Sequence, residues 1–336
     1  MNFFINALKI IFLLGFLVFI HEGGHFLAAK WFKVKVEEFS IGFGPKIFNK
    51  KRKETVYSIG CIPFGGYVKM TGEMEKSDQE GAFNNAKLLH RIIIVSAGAL
   101  VNIIFAIIVY FILMFFANYN VSTVVGEILP EAKENLIGIQ INDQILQIND
   151  TKIRVKSDIS KALRDSEKDA DISVRVKRNN EIINLNVKPT EYTDGVYILG
   201  IIMRESSVGF VDRLYNSFFE TINFLESIGE SLKLLFTGNV GIEQMTGPIG
   251  ISEIVVKTNG VYNFIYLLCL VSISLGITNL LPIPALDGGR ILLLIIEGIR
   301  GKALKEEIEL GIQSAGFLLL ILFSLYVSYK DILRIF

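Results

Sequence analysis

The sequence predicts a polytopic α-helical membrane protein: four transmembrane helices, a membrane-associated β-region and an inserted α/β domain. Three observations carry this. Hydrophobic residues fill 51% of the 336 positions and charged residues only 20%, more of the former and fewer of the latter than a soluble domain carries. The apolar residues gather into four long runs, which is how bilayer-crossing helices read. Between the second and third runs lies a long polar stretch with the alternating and helical patterns of a folded domain.

The first run, residues 4–29, is long enough to cross a bilayer and carries two histidines in its last third. No small-residue cleavage site follows its apolar part, so it reads as a retained helix and not a signal peptide. The second run, 92–117, is nearly unbroken and can span with some tilt. The third, 261–281, stops at Pro282 and Pro284, which cannot continue a helix. The fourth, 312–327, is short for a span but extends at its N-terminal side. The expected organisation is helix 1 with a metal motif (1–30), a cytoplasmic membrane-associated β-region (31–90), helix 2 (91–118), and the inserted domain (119–206). An amphipathic helix and linker (207–256), helix 3 with an Asp motif and a following helix (257–305), and helix 4 (306–336) complete it.

Flanking charge sets the expected orientation. Residues 30–91 are rich in Lys and Arg, including Lys50-Lys51-Arg52-Lys53, and Arg290, Arg300, Lys302 and Lys305 follow the third run. Residues 118–132, after the second run, contain no basic residue. The positive-inside rule therefore puts the first and third connections in the cytoplasm and the inserted domain outside. Lys330 and Arg334, after the fourth run, go against this pattern. The basic run also suits contact with anionic membrane lipid on the same leaflet.

Within the first connection, residues 34–39 and 55–59 are β-branched and aromatic, punctuated by Gly42, Gly44, Pro45, Gly60, Pro63, Gly65 and Gly66. A small antiparallel sheet near the membrane surface is expected, with Phe43, Phe48, Phe64 and Tyr67 dipping into the interface. In the inserted stretch, strands are expected over 123–129, 144–149, 172–176, 182–187 and 196–203, and a helix over 157–165 with Ser157 and Asp158 as capping candidates. Arg178-Asn179-Asn180-Glu181 reads as a hairpin turn. Pro130, residues 136–145 and Ile148-Asn149-Asp150 resemble the central pattern of PDZ domains, with Asn142 where that family usually has glycine. The resemblance implies capture of peptide ends by strand addition, or a steric filter in its place. Phe210, Leu214, Phe218, Ile222, Leu225, Ile228, Leu232 and Leu235 then recur at three and four, an amphipathic helix over 208–236 suited to the membrane surface or to packing on the domain. Gly247-Pro248-Ile249-Gly250 reads as a break.

The chemistry is concentrated in two motifs. His21-Glu22-Gly23-Gly24-His25 places two imidazoles four apart, on one helix face, where both can reach one metal ion. Glu22 lies where a carboxylate can take a proton from water activated by that metal. The chain holds only three histidines, so two of them flanking a glutamate in this order is a specific signal. The second motif runs from Asn279 to Arg290. Its Asp287 follows two prolines and precedes Gly288 and Gly289, which permit close backbone approach. Alone, Asp287 reads as the cap of the next helix. Beside a two-histidine site short of a third protein ligand, it reads as that ligand.

With both motifs, the chain resembles the site-2 protease family of intramembrane zinc metalloproteases, closest to the bacterial RseP/RasP-like branch. The resemblance covers nearly the whole length and includes Gly42-Phe43-Gly44-Pro45, residues 62–67 and Gly247-Pro248-Ile249. It implies a Zn2+ ion held by His21, His25 and Asp287, with Glu22 as base, and Asn279, Gly42 and Gly44 contacting substrate. Asn279 could equally hold helices together. It also implies cleavage of single-span membrane proteins, such as anti-sigma factors or signal-peptide remnants, in the bacterial inner membrane with the site toward the cytoplasm. One PDZ-like domain stands where some members carry two.

Other classes fit less well. Lys+Arg and Asp+Glu balance at 34 each, which gives no basic field for nucleic acid. A metal transporter would need further ionisable groups inside the spans, and a serine protease a Gly-x-Ser-x-Gly motif that is absent. A catalytically inactive, membrane-tethered PDZ scaffold is the main alternative, and the intact His21, Glu22, His25 and Asp287 argue against it. Cys61 and Cys269 sit in different settings and read as free thiols.

Overall fold

The computed structural model describes residues 2–73, 75, 77–117, 121–132, 135–136, 138–164, 170–193, 196–205, 209–237 and 246–335. The side chain of Phe64, and Ile137, Asp165 and Val208, named above, lie outside what is described. The chain divides into two compact units, Met1–Val109 with Gly241–Phe336, and Tyr110–Val240.

The first unit is helical. Helices α1 (Asn2–Trp31), α2 (Leu88–Phe116), α6 (Val261–Leu280) and α8 (Glu306–Ile335) coincide with the four apolar runs, and each is long and apolar enough to cross a membrane. Leu13 and Leu17 of α1 pack with Leu268 of α6, whereas Phe317, Leu318, Leu322 and Leu325 of α8 stand exposed as a lipid-facing surface would. Helix α8 runs well past residues 312–327 at both ends. Its polar last turns are satisfied internally: Asp331 is buried and accepts the Gly250 amide at 2.8 Å.

Gly250 belongs to α5 (Pro248–Lys257), a helix where the sequence reads as a break. Pro248 starts it, a position at which the missing N–H is not needed. Helix α7 (Asp287–Arg300) follows α6 after a six-residue turn and ends at Gly301 in the left-handed conformation, φ 65°.

Between α1 and α2 lies the expected antiparallel sheet, longer than its two apolar clusters suggested. Strands β1 (Val36–Arg52) and β2 (Thr55–Met70) each fold back on themselves. Residues 36–41 pair with 66–70 on one side and lie alongside 56–59 on the other, while 46–52 pair with 55–60. The glycines that seemed to end strands are the fold-back points: Gly42, Gly44 and Gly65 have φ of 82°, 81° and 89°. Phe43, Ile47, Phe48 and Ile62 are exposed at this end, and Tyr67 receives a hydrogen bond from Lys46 Nζ at 2.7 Å. The other end packs Val36, Phe39, Val68 and Met70 against Ala29, Ile94 and Leu294.

The second unit holds a sheet in the order β10-β3-β4-β6-β7: β3 (Val121–Ile128), β4 (Gln144–Ile148), β6 (Ile172–Arg178), β7 (Glu181–Val187) and β10 (Ile201–Glu205). A short β5 (Thr151–Lys152) pairs with β4, and β8 (Thr190–Thr193) pairs with β9 (Val196–Ile198). The strand expected over 196–203 is thus two, divided at Gly200 with φ 65°. Alternation buries Ile172, Val174 and Val176 against Ile145, Ile148 and Val187. The Asn179-Asn180 turn is as read: Arg178 pairs with Glu181, with φ of 49° and 70° between them. Asn142 adopts φ 74°, a conformation asparagine tolerates better than other non-glycine residues.

Helix α3 (Lys156–Arg164) is capped by Asp158, whose Oδ2 accepts the amides of Arg154 and Val155 at 2.6 and 2.9 Å. Helix α4 (Phe210–Phe236) packs on α3: Asn223 Nδ2 donates to Asp158 Oδ1 at 2.8 Å and to Ser157 Oγ at 2.7 Å. The amphipathic helix therefore covers part of the inserted domain.

Candidate metal centre

The tight helix contacts around residues 21–25 come from small residues. A Cβ on Gly24 would lie 2.5 Å from the Ala97 carbonyl oxygen, so α1 and α2 touch backbone to backbone there. Gly98 gives the His25 ring its space: an added Cβ would overlap Nε2 and come within 2.7 Å of Cδ2 and Cε1. Gly276 of α6 lies as close to α2, its Cβ position 2.7 Å from the Ala99 carbonyl oxygen.

Asp287 is delivered by a compact turn. Ile283 N donates to Leu281 O at 2.7 Å and Leu286 N to Ile283 O at 3.2 Å. Ala285 takes φ 73° and donates its N–H to Gln313 Oε1 of α8 at 2.6 Å, which holds this unfavourable conformation in place. Gly288 and Gly289 approach the carbonyls of Leu280, Leu281 and Ile283 more closely than any Cβ permits. Asp287 is the first residue of α7, where the helix dipole favours a carboxylate. One turn on, Arg290 forms an ion pair with Glu73 and donates from Nη2 to the Glu73 carbonyl at 3.2 Å.

These elements bring three atoms to a point. His21 Nε2 lies 3.3 Å from Asp287 Oδ2, His25 Nε2 lies 3.4 Å from the same oxygen, and the two Nε2 atoms are 3.3 Å apart. A tetrahedral ion with bonds of about 2.0–2.1 Å has ligand–ligand edges of about 3.3–3.4 Å, so the triangle has the dimensions of a zinc site's face.

Hydrogen bonding supports the same reading. His25 Nδ1 is 2.9 Å from the Ile94 carbonyl, which can only accept, so Nδ1 carries the proton. In the neutral ring Nε2 then offers a lone pair toward Asp287 Oδ2, another acceptor. Acceptors facing one another at this distance repel unless a proton or a metal ion lies between them, and a metal ion answers all three atoms at once. Asp287 Oδ2 is buried without a conventional hydrogen-bond donor, as that geometry demands. His21, His25 and Asp287 are the only such trio of potential ligands among the described residues.

Glu22 is partly buried on the same helix. Its Cγ lies 3.1 Å from the position a Cβ on Gly66 would take. The glycine beside Glu22 is therefore Gly66 of the 66–70 segment, whose other side pairs with no strand among the described residues. Gly42 and Gly44 face Gly60 and Ile62 at the fold-back. Asn279 is half-buried in the last turn of α6. A cavity of about 440 Å³ opens beside Asp287, lined by the polar Glu73, Arg290, Glu306, Glu309, Gln313 and Ser314 and by the apolar Ala285, Leu286, Leu310 and Phe317.

The sequence reading passed over Gly98, Asn102 and the pairing of Glu73 with Arg290, and took Gly66 only as a break between strands. Asn102, whose Nδ2 lies 3.2 Å from His21 Nδ1, had a visible signal: it is the sole carboxamide in an otherwise apolar span. The glycines carried none, since what they make room for comes from other elements.

A membrane-embedded helical unit with a two-histidine, one-aspartate triangle defines a class of membrane metallohydrolase, and the comparisons narrow it. The model of peptidase family M50 matches residues 9–323, and the chain belongs to that family. A protein of Clostridium acetobutylicum is 36% identical over 345 aligned positions, spanning 99% of this chain and 98% of its own. The zinc metalloprotease RasP of Geobacillus kaustophilus is 27% identical, with 98% of each chain covered. The regulator of sigma-W protease RasP of Bacillus subtilis is 28% identical over 99% of this chain and all of its own. The protein is a zinc metalloprotease and a multi-pass membrane protein.

Proposed function

We propose that the protein is an endopeptidase that cuts single-span membrane proteins within their transmembrane segments, at a zinc site formed by His21, His25 and Asp287 with Glu22 as general base. The observation that carries this is the 3.3–3.4 Å triangle of Nε2, Nε2 and Oδ2 set among helices long enough to cross a membrane. Zinc bound there supplies Lewis acidity, lowering the pKa of water to about 7 and polarising the scissile carbonyl.

The protein's own groups do the rest. Ile94 fixes the His25 tautomer. Glu22 receives the proton of the attacking water and passes it to the leaving amine. Water enters by the cavity beside Asp287, because surrounding hydrocarbon supplies none. A helical substrate must unwind to expose a carbonyl. The open side of residues 66–70, adjacent to Glu22, suits an extended segment added as a further strand. Asn279, in the last turn of α6, would bind that segment's backbone, and Gly42 and Gly44, at the fold-back of β1, would shape the sheet that receives it.

The inserted unit is read as a PDZ-like domain that captures peptide ends or excludes bulky substrates. The same positive-inside pattern puts it outside and the site toward the cytoplasm of a bacterial inner membrane. An inactive PDZ scaffold would have no use for three converging ligands.

Glu22→Gln decides the matter. The variant should bind zinc like the unsubstituted protein, measured by metal analysis, and fail to cleave a reporter membrane protein. Cleavage at an unaltered rate would refute the assignment of the base.

A further inference from the structure

Asn102 is fully buried midway along α2. Its Nδ2 lies 3.2 Å from His21 Nδ1, and its Oδ1 is buried with no partner among the described residues. It cannot easily swing away, because α6 holds this part of α2. The Ser272 hydroxyl donates to the Asn102 backbone carbonyl at 2.9 Å, and Gly276 brings α6 against Ala99.

His21 presents Nε2 to Asp287 and His25. That nitrogen has a lone pair to give only when the ring proton is on Nδ1. A protonated Nδ1 facing the Asn102 NH2 would set donor against donor. A half-turn of the carboxamide, which leaves its shape unchanged, puts Oδ1 there to accept. One buried amide group stays unpaired in either orientation, so the contact with His21 decides between them.

We infer that Asn102 is a positioning residue: its Oδ1 accepts the Nδ1–H of His21 and holds the ring with its Nε2 lone pair toward the metal. Asn102 thereby does for His21 what the Ile94 carbonyl does for His25. Burying an amide in an apolar span is unfavourable unless it has such a task. This rests on the metal site proposed above, and the test separates the two.

The dissociation constant for zinc is measured on the purified full chain by competition with a chelator, for the unsubstituted protein, Asn102→Ala and Asn102→Asp. Loss of the acceptor in Asn102→Ala should weaken zinc binding by about 10–100-fold, as removal of a histidine's supporting partner does. Asn102→Asp, which can only accept, should restore it. Alanine binding zinc as tightly as asparagine, or aspartate binding as weakly as alanine, overturns the inference while leaving the metal site standing. Failure of the unsubstituted protein to bind zinc overturns both. Should the variants not fold, nitrogen NMR of the unsubstituted zinc-loaded protein decides, since only three histidines contribute. A protonated His21 Nδ1 is expected, and an unprotonated one refutes the assignment.

Discussion

Gly98→Ala should disable zinc binding without removing any ligand. The added Cβ would sit 2.7 Å from two carbons of the His25 ring and overlap Nε2. Carbon atoms in favourable contact stand about 3.5–4.0 Å apart, so the ring or the helix must retreat by roughly 1 Å. The ring has little freedom, because Nδ1 is tied to the Ile94 carbonyl at 2.9 Å. The helix has little either, because Gly24 already places α1 against the Ala97 carbonyl. A displacement of that size at a reacting centre lowers rates by about 100-fold, and zinc affinity should fall at least tenfold with it. Gly23→Ala is the matched control: nothing lies within 4 Å of its Cβ, and alanine stabilises a helix interior by about 0.5–1 kcal/mol over glycine. Chelator competition on both purified variants, with a cleavage assay beside it, reads the effect. Wild-type zinc affinity in Gly98→Ala, or an equal loss in Gly23→Ala, would refute the packing argument.

Asp287→Ala should weaken zinc binding by more than the ~10–100-fold that loss of a supporting residue produces, as metal analysis after dialysis can show. Arg178→Ala should destabilise the inserted unit, measured as a lower midpoint of its unfolding, because Asp143 has a fully buried side chain bonded through both oxygens to Arg178 at 2.7 Å and would be left without that partner. Burial alone would raise the Asp143 carboxyl, but Arg178 and the Gln140 amide outweigh it and hold it below the ordinary carboxylate value. A carboxyl depressed on folding adds stability above its unfolded pKa of about 3.9 that is lost as pH falls through the lower folded value. Hydrogen exchange over residues 121–205 should show this acid-side loss in the unsubstituted protein and not in Arg178→Ala. For topology, a cysteine placed near Asn179 should react with an impermeant reagent on intact cells and one near Lys51 should not, in a chain whose Cys61 and Cys269 are replaced. The opposite pattern would reverse the orientation.

The four spans and most strands were legible because each is written locally, in apolar length or in period-two alternation. His21, Glu22 and His25 were legible for the same reason, since one helix turn fixes their relation. Asp287 was found only by asking what a two-histidine pair lacks, and that question cannot place its oxygen. The sheet between α1 and α2 shows the limit. Its glycines are conspicuous in the sequence, but whether they end strands or fold them double depends on partners that only pairing supplies. Helix α5 was missed because Gly-Pro marks a helix start as readily as a break, and the amide of Gly250 in its first turn is satisfied by Asp331, 81 residues away.

By itself the sequence determined a multi-span membrane protein, a histidine pair with a glutamate between, and an acidic residue in a glycine-flanked turn. These follow from composition and from periodicities of one helix or strand. Only the tertiary structure decided that Nε2, Nε2 and Oδ2 stand 3.3–3.4 Å apart, that Gly98 leaves room for one ligand and that Asn102 meets the other. Such distances are set by how α1, α2, α6 and α7 pack, a property of residues distant in the chain that no local pattern encodes.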